Sequence, residues 1–328
     1  MFKNFRFIGL ALLLILSIAL IACGGDDSDE GADTEDTDTE ETDETEDTDT
    51  EDADGEDLEI GQEDLKQPYV AWAREAISTE MLAQLLEMVG YNVETSQVEA
   101  GPMFSSVADG SADFHTSAWL PATHQSYWEE YEGDIVKVNE TLDKAPLALT
   151  VPSYVEDVDT MEDLKDNEEF GESVNWEIIG IDAGAGIMQN TETALEEYEL
   201  DEWTLTTSSE AAMLTELQEA IENEEPIIVP LWKPHWAFGD MDLKMLEDSK
   251  DIYGGDGDQI YTVARKDLEE DAPRAYKVLE QYEENYEMLD EMMPKVYVDE
   301  EEVEDVVAEF LDDNPDLVDE WLDGVPRE

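Results

Sequence analysis

Basic residues are scarce in this chain. Lys and Arg number 16 against 90 Asp and Glu over 328 residues, a formal net charge of -74. A surface of that sign repels phosphate backbones and anionic headgroups, so nucleic acid is excluded as a partner and no function rests on a basic patch. Cysteine occurs once, at Cys23, which leaves no intramolecular disulfide. The three histidines, His115, His124 and His235, are too scattered for metal-ligand spacing, and neither a metal nor a cofactor is expected. The chain has no G-x-S-x-G, P-loop or H-E-x-x-H. Carboxylates alone are too numerous to mark a catalytic pair, and the chain reads as a binding module, not an enzyme. An extracellular hydrolase is the rival from another class.

What is present begins with Lys3 and Arg6 ahead of an apolar run from Ile8 to Ala22. The run is shorter than the roughly 20 residues of a membrane span and has the layout of a secretory signal. Leu20-Ile21-Ala22-Cys23 resembles a bacterial lipobox, which makes residues 1–22 a lipoprotein signal peptide and Cys23 the lipidated N-terminus of an extracytoplasmic, membrane-anchored protein. An uncleaved anchor with an incidental cysteine is the alternative.

Residues 26–57 contain only Asp, Glu, Thr, Ser, Gly and Ala. With no apolar surface to offset ordering entropy, 23–57 reads as a disordered, self-repelling tether. It takes 20 of the 90 acidic residues and no basic one, while Lys3 and Arg6 take two of the 16 basic ones; residues 58–328 therefore keep 70 acidic against 14 basic. Compact folding with so much like charge suits concentrated salt, where the Debye length falls to about 3 Å at 1 M.

From residue 58 onward the chain alternates strand and helix. "PYVAW", "YNVETSQVEA", "ADFHTSAW", "EIIGIDA", "WTLTTSS" and "PIIVPLW" read as strands, and the segments between them as helices. One of these, "STEMLAQLLEMVGY", has Ser78 or Thr79 as its cap and Gly90 as its stop. The pattern predicts an α/β fold with mainly parallel sheets, and the length exceeds one core, so two lobes follow. "APLALTVPSYV" and the region near "FGDMDLKML" are the expected crossings, giving 58–148 with 241–328 as lobe 1 and 149–240 as lobe 2. The C-terminal residues read as amphipathic helices, with Val303, Val306, Val307 and Phe310 on one stripe and Leu317, Trp321 and Leu322 on another.

Against this acidic background "SADFHTSAWLPATHQSYW", residues 111–128, gathers two tryptophans, two histidines and a tyrosine with a single charge. Trp72, Trp119 and Trp232 each sit where a strand ends, the place where open α/β sheets collect ligands.

The spans "YVAWAREAIST", "VEAGPMFSSVADGSADFHTSAWLPATH", "IIGIDAGAGIMQNTETALEEYELDEWTL", "PIIVPLWKPHWAF" and "NPDLVDEWL" resemble the glycine betaine and proline betaine-binding proteins of ABC importers, the OpuAC type. The resemblance implies a two-lobed, type II periplasmic-binding-protein-like architecture with a ligand cleft between lobes, a betaine or similar small-molecule ligand, osmoprotection, and an ABC permease subunit as partner. It also implies site residues: Trp72, Trp119 and Trp232 caging a quaternary ammonium, and His124 with the backbone N–H groups of Gly186 and Ile187 on the ligand carboxylate. A choline or carnitine-type receptor is the runner-up.

The physical chemistry suits these roles. A trimethylammonium has no N–H to donate, and aromatic faces attract it by about 0.5 to 2 kcal/mol per ring. "AGAGIM" offers glycines for close approach and free N–H groups at a helix start. By chain order Trp72, Trp119 and His124 precede the first crossing and the other three follow it, so each lobe supplies part of the cage and part of the clamp. Three departures from the family pattern stand out. Lys233 is expected to point away from the cage, and Phe104 and Ala183 replace the family's Trp and Pro. His235 reads as a structural hydrogen-bonder and His115 as facing the sheet.

Overall fold

The computed structural model describes residues 58–328. The expected signal segment, Cys23 and the acidic tether lie outside the described residues.

The first part of the chain builds β1 (Asp64–Tyr69), α1 (Ala73–Glu87), β2 (Asn92–Gln97), α2 (Ala100–Ala108), β3 (Phe114–Leu120), α3 (Gln125–Tyr131) and β4 (Ile135–Ala145). A second series follows: β5 (Leu147–Pro152), α4 (Glu168–Ser173), β6 (Glu177–Ile179), α5 (Gly186–Glu197), β7 (Thr204–Thr206), α6 (Glu210–Glu222), β8 (Val229–Trp232), α7 (Ala237–Asp240) and β9 (Leu243–Met245). The chain then returns through β10 (Asp258–Arg265) and ends in α8 (Leu268–Asp271), α9 (Pro273–Gln281), α10 (Tyr286–Tyr297), α11 (Val303–Asp313) and α12 (Pro315–Trp321).

Two lobes result, with the same strand order. In the first, β1 pairs with β2, and β10 lies between β3 and β4. The Asp113 N–H donates to the Lys66 carbonyl at 2.9 Å and sets β1 beside β3. In the second, β6 pairs with β7, β5 lies between β8 and β9, and the Ile179 N–H donates to the Ile228 carbonyl at 3.1 Å. The expectation of mainly parallel sheets is corrected. Only β1–β2 and β6–β7 are parallel among these pairings, whereas β10 and β5 run antiparallel to both of their neighbours. These two strands enter from the opposite lobe and are not joined to their neighbours by a βαβ crossover, the connection that makes strands parallel.

The first crossing is Pro146 alone, between β4 and β5. Leu147 already pairs with Trp232, and β9 pairs with β5 over Thr150–Pro152, so the expected lobe limits shift. The second crossing runs from about Glu247 to Gly257, later than the "FGDMDLKML" region. A Cβ on Gly257 (φ +114°) would stand 2.8 Å from the Pro146 nitrogen, which sets the two crossings side by side.

Helix α1 also departs from expectation. Ser78 and Thr79 do not cap it; they lie buried inside it, and the Ser78 hydroxyl donates back to the Arg74 carbonyl at 3.0 Å. The helix begins at Ala73, and its first N–H meets a carboxylate from elsewhere in the fold, that of Glu210. Gly90 ends it as expected, at φ +99°. Arg74 and Glu284 form a buried ion pair at 2.8 Å that ties α1 to the C-terminal helices. Val306, Val307, Phe310, Trp321 and Leu322 face inward, as their spacing predicts.

Candidate ligand-binding site

The three tryptophans reach one place by different local routes. Trp72 is the extended residue (φ −90°, ψ 148°) before α1; Trp119 is the penultimate residue of β3; Trp232 is the last residue of β8. All three are buried. The ring centroids of Trp72 and Trp232 are 6.2 Å apart at 63°, a T-shaped arrangement across the line between the lobes.

These rings line a small cavity together with Thr123, His124, Leu147, Ile181, Ala185, Gly186 and Ile187. All six residues singled out in the sequence border it, and none of the ten lining residues is charged.

His124 is built for donation. The Trp119 N–H donates to its Nδ1 at 3.1 Å, and its own backbone N–H donates to the Trp119 carbonyl at 2.8 Å. With Nδ1 accepting, the proton of the neutral ring is assigned to Nε2, which is buried and has no partner. Burial pushes the ring's pKa down to about 3, so the imidazole is neutral at ordinary pH. Its ring stacks on Trp72 at 6.1 Å and 15°. The turn that carries it is held by Asp258, whose two carboxylate oxygens accept the Ala122 and Thr123 N–H groups at 2.8 Å each.

Gly186 and Ile187 open α5, so their N–H groups have no preceding turn of helix to donate to, and the positive end of the helix dipole lies at the cavity. A neutral donor, two free amides and three aromatic rings bordering one cavity suit a compact zwitterion: a bulky cation without N–H bonds at one end and a carboxylate at the other.

Lys233 lies outside the cavity lining, its Nζ 4.5 Å from the centre of the Phe238 ring. Phe104 is behind the site, edge-on to His124 at 5.3 Å and stacked on Tyr127 at 5.1 Å. Ala183 is exposed. His115 is fully buried, its Nδ1 accepting the Ser117 N–H at 3.2 Å, and burial holds its pKa at about 3. The Nε2–H of His235 donates to Glu210 at 3.0 Å and its Nδ1 accepts the Ala237 N–H at 3.1 Å.

Sequence reasoning missed Thr123, Leu147, Ile181 and Ala185. Thr123 matters most, because its hydroxyl is buried without a partner at the cavity wall. Its position directly before His124 was the available signal.

Residues 63–313 match the family described as the substrate-binding domain of ABC-type glycine betaine transport systems. The glycine betaine/carnitine transport binding protein GbuC of Listeria monocytogenes is 44% identical over 162 residues, 49% of this chain and 53% of that protein; the chain thus spans about half the length of this curated relative. Lactococcal OpuAC, solved in a closed-liganded conformation with glycine betaine, superposes with a TM-score of 0.74 at 32% identity, covering 79% of this chain and 99% of that one. The glycine betaine, L-proline-binding protein ProX of Borrelia burgdorferi gives 0.76 at 34%, covering 80% and 97%. With its two lobes, its tryptophan-lined cleft and this match over most of its length, the chain belongs to the OpuAC family of substrate-binding domains.

Proposed function

We propose that this protein captures glycine betaine, or a closely related quaternary ammonium solute such as proline betaine, outside the cytoplasm and presents it to the permease of an ABC importer. The observation that carries the reading is the cavity itself. Trp72, Trp119 and Trp232 surround it, and the unpartnered His124 Nε2–H and the Gly186 and Ile187 amides border it, with no charged side chain among the lining residues. The rings take the ammonium and the three N–H groups take the carboxylate. Lobe 1 (58–145 and about 258–328) contributes Trp72, Trp119 and His124. Lobe 2 (147–247) contributes Trp232, Gly186 and Ile187. Closure on the ligand is the state the permease reads. Lipidation at Cys23 would hold the domain at the membrane through the acidic tether, and the excess of acidic surface suits a saline exterior.

Choline offers the same cation without the carboxylate and would leave His124, Gly186 and Ile187 without a partner, so it ranks below a betaine. Calorimetric titration with glycine betaine tests the reading: saturable heat is expected, with no new product by NMR. Absence of heat with any methylated ammonium compound overturns it, and product formation would favour a hydrolase.

A further inference from the structure

Beside the cage lies a second contact between the lobes. Glu210, the first residue of α6, is buried, and its Oε1 and Oε2 stand 3.3 and 3.2 Å from the N–H of Ala73, the first residue of α1 and the one that follows Trp72. The His235 Nε2–H donates to the same carboxylate at 3.0 Å, and His235 lies three residues beyond Trp232, with the two rings 5.3 Å apart. The Ala73 carbonyl accepts the Tyr297 hydroxyl at 2.9 Å, and the Tyr297 ring stacks on Trp236 at 6.3 Å and 12°. One residue next to a cage tryptophan is thus held at both its N–H and its carbonyl.

We propose that Glu210 is a positioning residue for the tryptophan cage: from the second lobe it seats the start of α1, and so the Trp72 ring, against Trp232 when the lobes close. This rests on reading the cavity as a quaternary-ammonium site. A carboxylate at the start of the 15-residue α1 is favoured by the helix dipole, and burial makes its loss costly because both donors are left without an acceptor. His235 gives the carboxylate a fixed rotamer; its own Nδ1 is occupied by the Ala237 N–H, so the Nε2 proton points one way only. Glu210 touches no ligand atom in this scheme. It acts through Ala73 and Trp72, and only in the closed state, which makes it part of the differential affinity that a population shift needs.

Two substitutions separate this role from a general one in folding. E210A removes the acceptor. A73P removes the donor and sets a ring carbon in its place against the carboxylate, at the first position of a helix where proline is well tolerated, after a residue already extended. Glycine betaine titration, stopped-flow dissociation by tryptophan fluorescence, small-angle scattering and ligand-free melting are measured on the wild type, both single variants and the double variant.

The expected result is that each single variant binds glycine betaine about tenfold or more weakly through faster dissociation, with the double variant no weaker than either. Ligand-free melting should be retained, and the ligand-free radius of E210A should exceed that of the wild type, because loss of the clasp shifts the population toward the open state. Wild-type affinity in E210A, or losses that add in the double variant, overturns the proposal. So does a loss in E210A that follows its ligand-free melting temperature while A73P binds normally. If the wild type itself gives no heat with glycine betaine, the functional reading fails instead. The clasp is then judged by scattering alone: a larger ligand-free radius in E210A supports it and an unchanged one overturns it.

Discussion

The carbonyl oxygen of Thr123 lies 2.0 Å from where a Cβ on Gly186 would stand. Thr123 belongs to the turn after β3 and Gly186 opens α5, so two backbones from different lobes meet at van der Waals range beside the cavity. The predicted consequence is specific to closure. Alanine suits a helix start, so Gly186→Ala should fold normally. Its methyl, however, would hold the lobes apart, and glycine betaine should bind at least about tenfold more weakly, ~1.4 kcal/mol. Calorimetry on the variant checks this, and unchanged affinity would show that the approach is not required for binding.

His124 should contribute as a neutral donor. His124→Ala is expected to cost roughly 1.5 to 3 kcal/mol of betaine affinity, about ten- to a hundredfold, with the fold intact. Because burial holds the ring's pKa near 3, well below its ordinary 6.5, the wild-type affinity should not fall through a His124 titration between pH 5 and 8. A titration series across that range would expose a step near pH 6.5 if the ring were solvated in solution.

The cage should discriminate by ring and by methyl group. Changing any one of Trp72, Trp119 or Trp232 to Ala should weaken glycine betaine by about 1 to 2 kcal/mol or more, and dimethylglycine should bind the wild type less well than the trimethyl compound. A competition panel on immobilised protein reads both effects; equal binding of the two amines would mean that the rings do not surround the cation.

Glu75 gives a pH dependence of stability with a definite sign. It is buried, its Oε1 accepts the Val70 N–H at 2.9 Å, its Oε2 has no partner, and burial raises its pKa from 4.5 to about 7. The folded protein therefore keeps a proton that the unfolded chain releases, and this contribution to stability, present below pH 4.5, is lost as pH rises to 7. His115 and His124 act in the opposite sense: held near 3, they cost stability as pH falls from 6.5. Glu75→Gln should leave the histidine effect and abolish the other. The melting temperature of the variant should rise relative to wild type between pH 4.5 and 7 in the same salt, and a constant difference would refute the assignment.

The resemblance to the OpuAC type singled out the cage tryptophans, His124 and the glycine turn of α5 before any coordinates, and local features stood beside it in short stretches. A strand end, a helix start and an uncharged segment in an acidic chain are properties of neighbours in sequence. The amphipathic C-terminal helices were legible for the same reason, since Val306, Val307 and Phe310 keep the helical period.

Other features are not local, and tertiary structure alone decided them. The N–H of Ala73 at the start of α1 is met by the carboxylate of Glu210, 137 residues away, a partner that no local capping pattern can announce. The antiparallel placing of β5 and β10 depends on the chain changing lobes at Pro146 and returning after Gly257. Thr123 joins the cavity wall only because its turn is pinned by Asp258 and pressed against Gly186. Periodicity and composition record which side chains prefer to be buried or solvated. Which buried polar groups meet across the cleft is set by how two separately built sheets come together.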